Sequence, residues 1–343
     1  MSHSPAFERA PEFTREPAEL VTTQKLQRSP HTGRWLLMAL ILTVGLVVFS
    51  SSVGVYDILG ADDGQEMFGI TRIPRTVTLV LSGAAMAMCG LVMQMITQNR
   101  FVEPTTTGTT EWAGLGLLLV MIVAPGASIL VKMIVAISAA FIGTLVFFAF
   151  LQRVTLKSSV IVPIVGMMLA AVVGALSSYI ALETNMLQSM GVWFQGSFTS
   201  AIKGQYEPMW AVLAVVVLVF VTADRFTAAG LGQDFATNIG LNYRVVVLLG
   251  TGLIALATGI VTVVVGQLPF IGLIVPNLVS LVRGDNLRSN LPWVALTGVW
   301  LVTICDIIAR VIIMPFEIPV AIILAAVGAI VFVLLLLKVR RSG

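Results

Sequence analysis

Charge is scarce in this 343-residue chain. Asp, Glu, Lys and Arg make up 11% of it and hydrophobic residues 57%, whereas an ordinary soluble domain is about 25% charged. So few polar side chains cannot cover a globule in water, and a soluble fold is excluded. Histidine is confined to His3 and His31 near the N-terminus. That leaves no histidine relay, no Ser/His/Asp set and no Cys/His metal site in the apolar region, and the expected metal ligands are none. No G-x-x-x-x-G-K-[ST] occurs, so the chain has no loop of its own to hold ATP. Its two cysteines, Cys89 and Cys305, both lie in apolar segments. They could pair, but small buried packing residues are the reading their setting favours. Residues 1–33 are polar, without the apolar core of a signal peptide, and are expected to form a disordered cytosolic tail.

Long apolar runs are what the chain does have. They fall at 34–54, 75–97, 106–124, 129–150, 160–182, 208–223, 245–265, 269–283, 291–309 and 318–338, and a spanning helix needs roughly 20 such residues. Helix-period runs, rather than short alternating strands, argue against a β-barrel. The expected fold is an all-α polytopic membrane protein of about ten spans, with residues 34–343 as one transmembrane domain. The third and eighth segments are interrupted, by Gly108, Gly114 and Gly116 and by Pro269 and Pro276.

Basic residues orient the set. With the N-terminus inside, Lys25, Arg28, Arg34, Arg100, Arg153, Lys157, Arg225, Arg244, Arg283, Arg288, Lys338, Arg340 and Arg341 fall in the cytosol, and so do both termini. Asp57, Asp62, Asp63, Glu66, Glu183, Glu207 and Glu317 fall outside. Only Arg72, Arg75, Lys203 and Arg310 are then basic residues left outside. These arginines either snorkel or pair with nearby carboxylates, or form an exposed cationic ring awaiting an acidic partner.

Intramembrane charge reduces to Asp306, Arg310 and Glu103, all near segment ends. Ion-coupled carriers bury carboxylates near the midplane, so their lack favours an externally powered transporter. The polar insert 224–244, with Leu231-Gly232-Gln233-Asp234-Phe235-Ala236-Thr237-Asn238-Ile239-Gly240 at its centre, is a helix-sized, cytosol-facing, glycine-bounded surface suited to a soluble partner. Two Pro-containing breaks, 98–105 and 266–272, occupy matching positions in the two halves and are expected on opposite membrane faces, as in an inverted repeat. Broken backbone at that depth must be covered by protein or a water-filled cavity. Thr105, Thr106, Thr107, Thr109 and Thr110 either line a polar path, the reading slightly favoured, or bond back to their own backbone. The paired methionines Met86/Met88, Met93/Met95 and Met167/Met168 suit core gap-filling better than a ligand path.

Taken in order, the motifs resemble those of the FecCD-type permeases of binding-protein-dependent ABC importers, which include cobalamin and iron–siderophore uptake systems. Arg72-Ile73-Pro74-Arg75 is similar to the family's R-L-P-R, and Gln98-Asn99-Arg100-Phe101-Val102-Glu103-Pro104 to Q-N-P-L-A-[DE]-P. Phe270-Ile271-Gly272-Leu273-Ile274-Val275-Pro276-Asn277 resembles F-[VI]-G-L-[IV]-[VI]-P-H. Asp306-Ile307-Ile308-Ala309-Arg310 resembles D-x-[IVL]-A-R, Glu317-Ile318-Pro319-Val320 resembles E-[LI]-P-[VI]-G, and the 231–240 segment resembles L-G-E-x-A-x-x-L-G. The resemblance implies ten spans, a two-permease dimer with the fifth and tenth spans lining its pathway, and two cytosolic ATPases. It implies an ATPase-coupling role for Leu231, Gly232, Gln233, Asp234, Ala236, Ile239 and Gly240, with Ala236 on the docking face. It implies that Arg72, Arg75 and Arg310 receive glutamates of an extracytoplasmic binding protein. Gln98, Asn99, Pro104, Gly272, Pro276 and Asn277 belong to the re-entrant elements.

Four positions depart from the pattern. Arg100 and Phe101 replace Pro-Leu, Asn277 replaces His, and Gln233 replaces an acid. The 99–106 variant looks like the branch that imports catecholate-type siderophores. The expected function is therefore the permease subunit of a ferric-siderophore importer in a prokaryotic cell membrane. It is not an enzyme and holds no cofactor of its own, ATP and Mg²⁺ belonging to a partner. Lipid is its surroundings, and nothing points to nucleic acid. Cobalamin or haem is the alternative cargo, and an ion-coupled secondary transporter the alternative class.

Overall fold

The computed structural model describes residues 31–54, 64–153 and 161–342. The expectations for the tail up to residue 30, for Asp57, Asp62 and Asp63, and for Lys157 fall outside the described residues, as do the side chains of Lys338, Arg340 and Arg341.

Every described element is helical apart from one isolated β-bridge, Ile313 to Phe316. The helices are α1 (His31–Ser52), α2 (Gly64–Met67), α3 (Ile73–Thr97), α4 (Thr109–Val123), α5 (Ile129–Arg153), α6 (Ile161–Glu183) and α7 (Leu187–Phe194). They continue as α8 (Trp210–Gly230), α9 (Gln233–Asn238), α10 (Tyr243–Val264), α11 (Ile271–Arg283), α12 (Leu287–Val311) and α13 (Val320–Ser342). Each expected apolar segment carries a helix. Seven of these, α1, α3, α5, α6, α8, α10 and α12, are long and apolar enough to cross a membrane, whereas α4, α11 and the apolar part of α13 (Val320–Leu335) are shorter. The chain is a multi-pass membrane protein. The sixth segment runs further than expected, because α8 continues through Asp224 to Gly230 and leaves only six residues for α9.

α3 is the centre of the bundle: its most apolar window is 89% buried, against 17% for α1. Lipid tails give helices no hydrophobic reason to associate, so close packing over small residues has to supply the contact. Two glycines, about two turns apart on one face of α3, do this. A Cβ on Gly90 would stand 2.1 Å from the Gly272 Cα of α11, and a Cβ on Gly298 of α12 would stand 2.3 Å from the Gly83 carbonyl oxygen. Both obstacles are backbone, so α11 and α12 lie directly on α3. Met86, Met88 and Met93 are buried in the core, Cys89 and Cys305 are free and buried, and Met167 and Met168 lie exposed on α6.

A π-helical turn, Phe68–Arg72, feeds α3, and Pro74 falls in the first turn, where a missing N–H costs no hydrogen bond. At the other end of the chain's breaks, α4 (15 residues) and α11 (13 residues) span about 20 Å at 1.5 Å per residue, well short of the hydrocarbon thickness. Their N-termini therefore start inside the bundle. The two breaks, expected on opposite faces, begin at opposite ends of the bundle, Gln98 beside Gly232 and Gly266 in a wall with Glu317, and converge at their inner ends.

Candidate functional site

The convergence is made by Glu103. Its Oε1 accepts from the Phe270 N–H at 3.0 Å and its Oε2 from the Leu273 N–H at 3.1 Å, and the Thr105 hydroxyl donates to Oε1. Phe270 is the N-cap of α11, in left-handed conformation (φ 65°), and Leu273 is the third helical residue. These are the two N–H groups that a capping box serves from within one helix. Here one carboxylate from the other half of the chain serves both, at the positive end of the helix dipole. Gln94 donates to the Gly272 carbonyl at 3.1 Å and Asn277 to the Arg100 carbonyl at 2.8 Å, which ties the same two breaks from either side.

The neighbouring residues follow the same logic. Asn99 turns the first break by accepting from the Phe101 N–H (2.9 Å), Pro104 and Pro276 are buried, and Phe101 meets Phe332 of α13 edge-on. The positions that depart from the family pattern, Arg100, Phe101 and Asn277, thus join the first break to its surroundings, Arg100 through Asp285 at 2.7 Å. The Asp285 carboxyl is held below the ordinary carboxylate range, first by the Ser280 hydroxyl and then by Arg100. The threonines bond locally: Thr106 and Thr107 donate to the Glu103 carbonyl, and Thr107, Thr109 and Thr144 form a hydroxyl chain onto α5. That favours the back-bonding reading of the run over the polar path.

The 231–240 segment folds as a six-residue helix between two glycines, both at positive φ, Gly232 at 111° and Gly240 at 83°. Leu231, Phe235 and Ile239 are exposed at helical spacing, beside exposed Gln233 and Asp234, while Ala236 is completely buried. Ala236 therefore seats α9 on its own protein, which corrects its expected place on the docking face, and the residues α9 leaves exposed are the apolar stripe Leu231, Phe235 and Ile239. A six-residue stretch is too short for its period to show which side faces inward. Gln98, exposed at the end of α3, adjoins Gly232: a Cβ there would meet its amide at 3.5 Å. Asp224 pairs with Arg288 on the same side.

At the opposite end, Arg75 forms a two-pronged pair with Glu317 (3.0 and 2.9 Å) and reaches Asp306 at 2.8 Å. The other Asp306 oxygen lies 2.8 Å from Arg310, whose guanidinium also donates to the Ser50 and Val53 carbonyls at 2.9 and 2.7 Å. Arg72 donates to the Val53 carbonyl as well. Two arginines thus serve the last carbonyls of α1, where the helix dipole favours cations. The exposed ring of three is corrected accordingly. Side-chain exposure is 2% for Arg310 and 12% for Arg75, and Arg72 is half-buried. Three charges among the described residues escaped the sequence reading: Glu111 in the first turn of α4, Lys132 in the first turn of α5, and Asp285 between α11 and α12.

A model described as the FecCD transport family matches residues 36–338. The petrobactin import system permease protein FatD of Bacillus anthracis is 56% identical over 91% of this chain and 94% of its own length. The petrobactin import system permease protein YclN of Bacillus subtilis is 39% identical over 89% of this chain and 98% of its own. Among solved structures, an inward-facing ABC transporter of metal-chelate type superposes with a TM-score of 0.77 at 25% identity, over 89% of this chain and 99% of that one.

Proposed function

The chain belongs to the FecCD transport family, and from that premise we propose that it is the membrane subunit of an ATP-driven importer of a ferric siderophore. The identity to two petrobactin permeases carries the cargo class. The short helix α9, with its apolar stripe, carries the coupling. In this reading the protein sits in a prokaryotic cell membrane with ten spans and both termini in the cytosol, and it pairs with a second permease across α6 and α13. An extracytoplasmic binding protein delivers the cargo. ATP and Mg²⁺ belong to cytosolic ATPase subunits, and this chain is the transport subunit.

The mechanism follows from what α9 touches. Leu231, Phe235 and Ile239 would enter the ATPase, and Gln233 and Asp234 would edge that contact. Ala236 fixes α9 to the bundle, and Gln98 beside Gly232 joins it to the first break. From there Glu103 passes any displacement to α11. Closure of the ATPase on nucleotide would thus reach the mid-membrane breaks through one continuous set of contacts.

Gly240 has open space around it, so only its φ resists substitution. Gly240→Val forces a β-branched residue into left-handed backbone, at about 1–3 kcal/mol. It is expected to lower ATP-driven uptake in proteoliposomes about tenfold while membrane insertion stays normal; full uptake would remove α9 from the coupling path. Uptake by this chain alone on an ion gradient, with no ATPase present, would overturn the importer reading itself.

Arg72 is the docking arginine that can be tested cleanly, since changing Arg75 or Arg310 also breaks the protein's own ion pairs. Arg72→Glu is expected to weaken binding-protein association by about tenfold at low salt and by less as salt screens the contact. An affinity insensitive to both substitution and salt would exclude docking at this face.

A further inference from the structure

Near the outer ion-pair cluster the chain forms a half-open cavity of about 570 Å³, within the size range of small-molecule sites. Its walls come from separate elements: Leu117 and Met121 of α4, Lys132 of α5, Trp193 of α7, Gln195 after it, and Glu317 ahead of α13. Lys132 is the anomaly. It stands in the first turn of α5, where the helix dipole disfavours a cation, and the only other charge on that 25-residue helix is Arg153 in its last turn. Among the described residues Lys132 has no ion pair and no side-chain hydrogen bond. Among the described residues the one acid in the walls is Glu317, whose two oxygens are both committed to Arg75, so none of them balances the lysine's positive charge. Trp193 adds a flat apolar face and Gln195 an uncommitted amide, a combination suited to a ligand with aromatic and anionic parts.

We propose that this cavity is a reception site for an anionic ferric chelate, with Lys132 as the charge contact that selects it. The site deepens the importer reading and rests on it: a chelate released by a docked binding protein would meet Lys132 where the second break begins, with Gly266 in the same wall. A charge-locating lysine placed against a helix dipole is a local rule broken for a ligand's sake.

The test is equilibrium binding of radio-iron-labelled ferric petrobactin to the reconstituted permease–ATPase complex without binding protein. The vesicles are made from phosphatidylcholine, then from phosphatidylcholine with phosphatidylglycerol. Lys132→Gln is expected to weaken the Kd about tenfold, the loss of one charge-assisted contact, Lys132→Glu more, and Lys132→Arg to restore it. A Kd unchanged in Lys132→Gln, or no saturable binding by the unsubstituted protein, overturns the site. So does wild-type binding that phosphatidylglycerol abolishes, because the lysine then holds a lipid headgroup. Uptake with binding protein present, measured in parallel on the unsubstituted complex, separates the two claims. Uptake with an unchanged Kd removes only the cavity site, whereas absent uptake removes the importer.

Discussion

Asp306→Ala is expected to destabilise the protein by about 3–5 kcal/mol, the usual consequence of removing one partner from a buried charge pair. Asp306 is 1% exposed and lies between two guanidiniums, Arg75 at 2.8 Å on one oxygen and Arg310 at 2.8 Å on the other. Arg75 would keep Glu317, which is partly exposed. Arg310 would keep only neutral acceptors, Ser50 and Val53, for a charge that is itself 2% exposed. The loss should appear as a lower thermal midpoint of the detergent-solubilised protein. Asp306→Ala combined with Arg310→Met should recover part of it, because an apolar replacement of both partners leaves no orphaned charge. A midpoint unmoved by Asp306→Ala would mean that water reaches this cluster freely and that the ion pairs are not buried.

The second large effect is expected at Glu103. Glu103→Ala leaves the Phe270 and Leu273 N–H groups without acceptors at a depth where no lipid atom can replace them. Each orphaned donor costs about 1–3 kcal/mol, so a total near 3 kcal/mol is expected. Glu103→Gln keeps one acceptor oxygen and should lose roughly half as much. Besides a lower midpoint, amide hydrogen exchange over 270–273 should speed up in both variants, in the same order. Exchange at wild-type rates in Glu103→Ala would mean that α11 is capped by something else, and the link between the two breaks would fall with it.

The positions of the apolar helices were legible in the sequence because hydropathy and helix length depend on neighbours along the chain. Gly232 and Gly240 were legible for the same reason, as boundaries of a short polar insert. Contacts through space were not. Arg75 and Glu317 are 242 residues apart, and nothing local at either says that they meet. Arg310 stood out as a basic residue on the face expected to be outside, but its cause, the open carbonyl end of α1, lies 257 residues away at Val53. The breaks at 98–105 and 266–272 were recognisable by Pro and Gly, yet hydropathy assigns a segment to a face without giving its depth. Their meeting at Glu103 therefore appears only in three dimensions. Gln233, the acid-to-amide departure, sits exposed beside Asp234 on α9, where the fold itself places no demand on its charge.

The paired glycines of α3 limit how the molecule can move. Gly83 and Gly90 lie on one side of the helix, about two turns apart, and each touches the backbone of a different neighbour. A rod pinned at two points along its length can neither spin about its axis nor slip lengthwise without backbone collision. α3, α11 and α12 must therefore travel as one stator-like block through any transport cycle. α6 is tied instead to the first break, where a Cβ on Gly166 would stand 2.3 Å from the Thr106 carbonyl oxygen, so any shift of that break carries α6 with it.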